Sequence, residues 1–166
     1  MASLRENALG SVFRVFLPLS EETLPRPAEE GAKASSELKG GGTALLIEDD
    51  PQVRGLGVRM LEHFGWKVLA ARDGVEGVEM FLKHQEEIRF VLSDLTMPRM
   101  DGWETLAALR KMKPDVCVIL ASGYDEASVM SGDHNEWPQA FLGKPYSLED
   151  LRAAVGRVTA AKTKAI

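Results

Sequence analysis
The sequence predicts one α/β domain over residues 43–162, doubly wound, with a five-stranded parallel sheet in the order 2-1-3-4-5 and helices on both faces. Three observations predict it. Short apolar runs bounded by turn residues alternate with segments whose apolar residues recur at three-to-four spacing, which is the pattern of consecutive βα units. Four of the runs end in chemically active residues, which a parallel sheet collects on one edge. A chain of 166 residues with 45% hydrophobic content can bury one substantial core of about 120 residues once a polar leading segment is subtracted.

Each element follows in order. Ala44-Leu45-Leu46-Ile47 is a buried-strand signal ending in the acidic triplet Glu48-Asp49-Asp50. Pro51 opens the first helix, whose buried face is expected to carry Val53, Leu56, Met60, Leu61 and Phe64. Lys67 to Ala71, between Gly65 and Asp73-Gly74, forms the second strand, and a second helix runs from about Val75 to Gln85. Phe90-Val91-Leu92 continues through Ser93 to Asp94, and Pro98 then breaks the chain. Asp101-Gly102 makes a turn and caps a third helix, Trp103 to Met112, which stops before Pro114. Val116 to Leu120 leads into Ala121-Ser122-Gly123. The next helix is expected to be short, about Glu126 to Ser131, because Gly132, Asp133, Asn135 and Pro138 discourage its continuation. Ala140 to Gly143 ends at Lys144-Pro145, and the final helix begins at Ser147 with a capping-box-like Ser147…Asp150 pair and a face of Leu148, Leu151, Val155 and Val158.

Composition excludes several classes of function. The formal net charge is −5 and the longest basic cluster is Arg110-Lys111-Met112-Lys113, so the dense basic face that nucleic acid requires is missing. Cys117 is single and lies in a strand pattern, which fits a reducing compartment and a core role. No apolar run approaches the length of a membrane span, and Arg14 and Pro18 interrupt Val12 to Leu19, so a cytoplasmic location is expected. His63, His84 and His134 have no metal-ligand spacing and read as surface residues. Trp66, Trp103 and Trp137, with Met97 and Met100, read as packing residues.

The strand ends carry the chemistry. Clustered carboxylates repel one another unless a cation joins them, and hard oxygen ligands suit Mg²⁺, which keeps waters and accepts phosphate oxygens. An aspartate such as Asp94 can attack a phosphoryl group to form an acyl phosphate if cations neutralise the developing charge. Lys144 and Ser122 would supply an ammonium and a hydroxyl for that purpose. Asp50 has two readings, a third acid of the site or the cap of the first helix.

The segment from about Thr43 to Lys162 resembles a response-regulator receiver domain, a flavodoxin-like (βα)5 module. The resemblance rests on Leu46-Ile47-Glu48-Asp49-Asp50-Pro51, on Ser93-Asp94-Leu95-Thr96-Met97-Pro98-Arg99-Met100-Asp101-Gly102, on Leu120-Ala121-Ser122-Gly123 and on Gly143-Lys144-Pro145. It implies that Asp94 accepts a phosphoryl group from a phosphohistidine, that Glu48, Asp49, Asp94 and the Thr96 backbone carbonyl bind Mg²⁺, and that Ser122 and Lys144 contact the phosphoryl group. It further implies a switch through Ser122 and Phe141, self-catalysed phosphotransfer with autophosphatase activity, and a cis bond before Pro145. Glu48 stands where the family often has Asp, which lengthens one arm of the metal site.

Ahead of the domain, residues 20–42 are rich in Glu, Pro, Ala, Ser and Gly and read as a flexible linker, and residues 163–166 read as a tail. Gly10-Ser11-Val12-Phe13-Arg14-Val15-Phe16-Leu17-Pro18 alternates like a strand and resembles the closing strand of a histidine-kinase ATP-binding domain, so residues 1–19 read as the remnant of one. Together these imply a receiver at the C-terminal end of a hybrid sensor histidine kinase. Its partners would be a kinase domain in the same full-length chain and a histidine phosphotransfer protein, with output by protein contact. Two other readings belong to different classes. A haloacid-dehalogenase-like phosphatase also uses an Asp nucleophile and Mg²⁺ but needs a second Asp where Thr96 stands, and a docking module without phosphorylation would lack one of the site residues.

Overall fold
The computed structural model describes residues 41–124 and 135–163. Its elements in chain order are β1 (Thr43–Ile47), α1 (Pro51–His63), β2 (Lys67–Ala71), α2 (Gly74–His84), β3 (Ile88–Asp94), α3 (Gly102–Met112), β4 (Val118–Ser122), β5 (Ala140–Gly143) and α4 (Leu148–Thr163). The strands form one parallel sheet in the order β2-β1-β3-β4-β5, as expected. The expected strand in residues 10–19, the linker up to Gly40, the short helix at 126–131 and the last three residues lie outside the described residues.

The alternation of side chains along each strand divides the core between two faces. Ala44 and Leu46 of β1, Phe90 and Leu92 of β3 and Ile119 of β4 pack with Met60 and Leu61 of α1 and with Leu151, Val155 and Val158 of α4. Leu45 and Ile47, Val91, and Val118 and Leu120 face the other way, where α2 contributes Phe81 and α3 contributes Leu106 and Leu109. Residues of β1, β3 and β4 are therefore buried on both faces, which explains their unbroken apolar runs. Trp66 is buried edge-on against Phe90, and Trp103 meets the more exposed Trp137 edge-on at 5.9 Å between ring centroids.

Helix ends have local causes. Asp50 is a cap: its side chain accepts from the Gln52 and Val53 N–H groups ahead of Pro51. Gly65, at φ 82°, takes the left-handed turn that releases the chain from α1 into β2. Asp101 and Glu104 form a reciprocal capping box at α3, and Ser147 and Asp150 do the same at α4.

Several expectations shift. Leu56 is 54% exposed and Leu148 is 45% exposed, so neither belongs to a buried face. In α1 the inward position next to Leu56 is taken by Gly57, where a Cβ would meet Leu46 Cδ2 at a tight 3.0 Å, and in α4 Ala154 covers the sheet instead of Leu148. β4 starts at Val118, two residues later than its apolar run; Val116 and Cys117 are buried ahead of it, and the Cys117 carbonyl already accepts the Val91 N–H at 2.9 Å. The Lys144–Pro145 bond is cis.

Candidate functional site
The C-terminal ends of β1, β3 and β5 deliver an acidic group and a lysine to one place. Glu48 follows β1 and remains tied to the sheet, its N–H donating to the Ala71 carbonyl at 3.1 Å. Asp94 is the last residue of β3, 8% exposed, and its Oδ1 accepts the Leu95 N–H at 2.8 Å. One ligand oxygen from each of Glu48, Asp49 and Asp94 lies within 4.8 Å of the others. Glu48 and Asp94 are buried and Asp49 is exposed, so the group is open to solvent on one side.

Lys144, just after β5, joins the acids: its Nζ is 2.7 Å from Glu48 Oε2 and 3.0 Å from Asp94 Oδ1. Burial pushes the Glu48 carboxyl above the usual carboxylate range, and the hydrogen bond from Lys144 offsets only part of that while Asp94 adds to it. Burial alone would lower the Lys144 ammonium, but its bonds to Glu48 and Asp94 hold it above its ordinary value. The two shifts differ in cause, burial for Glu48 and the paired carboxylates for Lys144, but three carboxylates with one ammonium leave the group net negative. That is also the condition for holding a hard divalent cation, and oxygen ligands with one open side suit an ion that keeps waters.

The other expected residues sit around this group. Ser122 ends β4 and is buried, its Oγ accepting the Tyr124 N–H at 3.0 Å, and its carbonyl accepts the Lys144 N–H at 2.7 Å. Thr96 is exposed in the loop after Asp94. Phe141 is half-buried in β5, packed against the cluster that contains Leu120. The structure thus brings Glu48, Asp49, Asp94 and Lys144 together, sets Ser122 beside them on the neighbouring strand end, and leaves Phe141 further along the sheet.

The β3–α3 connection is braced from below. Gly102 donates to the Leu95 carbonyl at 2.8 Å, and a Cβ there would stand 2.6 Å from the Asp94 carbonyl oxygen and 2.8 Å from Leu95 Cα. Arg99, at φ 70°, pairs with the buried Asp73, which caps α2 by accepting the Glu76 N–H. On the β1 side, Arg54 Nη1 donates to the Glu48 carbonyl at 2.7 Å and to the Asp49 carbonyl at 3.0 Å. Sequence reasoning passed over these arginines. A basic residue four positions after the cap Asp50 was a usable signal for Arg54, whereas the Asp73–Arg99 pair spans 26 positions and had none.

The family model for the response regulator receiver domain matches residues 44–156. The sensor kinase CckA of Brucella abortus (strain 2308) is 39% identical over 152 residues, covering 88% of this chain and 16% of the kinase, so the chain spans only a small part of that relative. Among solved structures, the receiver domain of the hybrid histidine kinase CckA aligns with 29% identity and a TM-score of 0.60 over 71% of this chain and 99% of that one. The response regulator TrrA from Thermotoga maritima, in complex with Mg²⁺ and BeF, aligns with 25% identity and a TM-score of 0.64 over the same shares, 71% and 99%. Among the described residues no helix is long and apolar enough to cross a membrane. With the family match running from β1 into α4 of a sheet that ends in this acidic mouth, the chain belongs to the response regulator receiver domains of two-component systems.

Proposed function
We propose that residues 43–162 accept a phosphoryl group on Asp94 from a phosphohistidine, with Mg²⁺ held by Glu48, Asp49, Asp94 and the Thr96 backbone carbonyl. The observation that carries this is the Lys144 ammonium bound to both Glu48 and Asp94 at the edge of a three-carboxylate group. The residues fit the ion: their oxygens are close enough to share one cation, and Asp49 keeps a side open for waters and a phosphoryl oxygen. When bound, the ion supplies charge neutralisation for the entering phosphoryl group. The Mg²⁺ and BeF in the related TrrA structure support the same assignment.

In the step itself, Asp94 Oδ1 is engaged by Leu95 and Lys144, and Oδ2 is assigned to the attack. An electron pair of Oδ2 forms the O–P bond as the P–N bond of the donor breaks, and the imidazole leaves with that bond's electrons and takes up a proton. Lys144 exchanges a carboxylate oxygen for a phosphoryl oxygen, which keeps its charge paired throughout. The Ser122 hydroxyl then donates to the phosphoryl group, and Phe141, half-buried two strands from β3, follows it inward. The acyl phosphate thereby shifts a two-state equilibrium by its differential contacts with the two arrangements.

The parent protein in this reading is a hybrid sensor histidine kinase, and the phosphoryl donor is its own kinase domain. The alignment to CckA covers 88% of the chain and so extends upstream of Ala44, where the receiver match begins, and residues 10–18 carry the kinase-like strand pattern. A histidine phosphotransfer protein is the second partner, and the domain works on the cytoplasmic side. Acetyl phosphate with Mg²⁺ should add one phosphoryl group to this chain, seen as a mass shift, and Asp94→Asn should abolish it. Labelling that persists in Asp94→Asn would remove the nucleophile assignment.

A further inference from the structure
We infer that Arg54 is a positioning residue for the metal site: a guanidinium anchored on α1 that clamps the backbone of the two adjacent acids, Glu48 and Asp49, while leaving their carboxylates to the cation. The inference rests on the metal-site reading above.

Glu48 and Asp49 are consecutive like charges at the point where the chain leaves the sheet. Glu48 keeps one sheet bond, through its N–H to Ala71, but Asp49 lies past the last strand pairing and is exposed. Left alone, this segment would swing the two carboxylates apart to relieve their repulsion. Arg54 opposes that. Its own N–H donates to the Asp50 carbonyl at 2.9 Å, placing it in the first turn of α1, and α1 is fixed to the sheet through Gly57, Met60 and Leu61. From this base, Nη1 donates to the carbonyls of both Glu48 and Asp49. A charged donor bound to two carbonyls holds them more firmly than a neutral one.

The direction of these bonds separates Arg54 from Lys144. Lys144 binds the carboxylate oxygens themselves, so it contacts the reacting groups. The Arg54 contacts are to main-chain carbonyls, so it organises the ligands without occupying their lone pairs. Outer residues that orient metal ligands typically matter tenfold to a hundredfold in affinity.

Two roles of this arginine predict opposite signs. As a clamp, it strengthens cation binding by holding the acids together. As mere positive charge near a cation site, it weakens binding. Mg²⁺ titration by calorimetry on the full chain, well below the melting temperature, distinguishes them. Arg54→Ala should weaken Mg²⁺ about tenfold, Arg54→Gln, which keeps a neutral donor, should recover part of that, and Arg59→Ala on the same helix should leave affinity unchanged. Among the described residues Arg59 donates to the Gly55 carbonyl of its own helix at 3.2 Å, which makes it a control for general damage to α1. Circular dichroism melts in EDTA confirm that each variant is folded at the titration temperature, and Arg54→Gln carries the test if the alanine variant is not. Unchanged or tighter Mg²⁺ binding in a folded Arg54 variant overturns the clamp while leaving the metal site intact. Absence of Mg²⁺ binding in the wild type, or an Asp49→Asn variant that binds like it, removes the metal-site reading and the clamp with it.

Discussion
Glu48 shows how a receiver site is held at a cost to the fold. Its carboxyl is 4% exposed beside Asp94, and burial raises its pKa in spite of the Lys144 bond. A folded carboxyl that keeps its proton more tightly than the unfolded one contributes stability that is complete below the ordinary glutamate pKa and is lost as pH rises through the raised folded value. Glu48→Gln should therefore raise the melting temperature of the metal-free protein at neutral pH, while weakening Mg²⁺. Proton and cation compete for the same oxygens, so wild-type Mg²⁺ affinity should start to fall at a higher pH on acidification than an ordinary carboxylate would allow. Titrations and melts between about pH 5 and 8 check both directions. A Glu48→Gln protein that melts lower than wild type in EDTA would contradict the burial argument.

The β3–α3 connection is the element on which Asp94 depends. Gly102 sits against the Asp94 carbonyl and Leu95 Cα, both backbone, so a methyl group there cannot be accommodated by turning a flexible side chain. Gly102→Ala should destabilise by roughly 1 to 3 kcal/mol, the usual penalty of overpacking, and should slow phosphorylation of Asp94 because the strand end must move. Gly55 is the counterpart. It lies inside α1 with nothing within 4 Å of a built Cβ, so Gly55→Ala should stabilise by up to about 1 kcal/mol through helix propensity alone. Denaturant midpoints for the two variants should move in opposite directions. The Asp73–Arg99 pair completes the bracing, tying the same loop to the start of α2 with a buried carboxylate at one end.

For the whole molecule, the two described core clusters lie on opposite faces of one sheet. Their helices, α1 with α4 on one face and α2 with α3 on the other, come from the same stretch of chain. Deleting residues 1–39 should therefore leave the melting temperature nearly unchanged. A loss of stability well beyond about 1 kcal/mol would mean that the kinase-like strand pattern pairs with this domain or with a second copy.

The sheet order and the gathering of the candidate site residues were legible because both are written in local signals. A buried strand must be apolar on both faces, and each strand end here changes abruptly to Glu48-Asp49, Asp94, Ser122 or Lys144, so parallel pairing alone gathers those residues on one edge. Caps were legible for the same reason, since Asp101 with Glu104 and Ser147 with Asp150 act over three residues. The orientation of a helix about its own axis was less secure. Leu56 and Leu148 fit the apolar spacing, but at the helix–sheet contact it is Gly57 that faces Leu46, with Leu56 turned outward. The supports of the site were hidden for a related reason. Arg54 acts on carbonyls, which every residue has, so only its spacing from the cap Asp50 marks it, and Arg99 meets Asp73 across 26 positions, which leaves no mark in composition or spacing. Period and turn chemistry determine elements and their ends; which long side chain crosses to which backbone is decided when the packed helices set the distances.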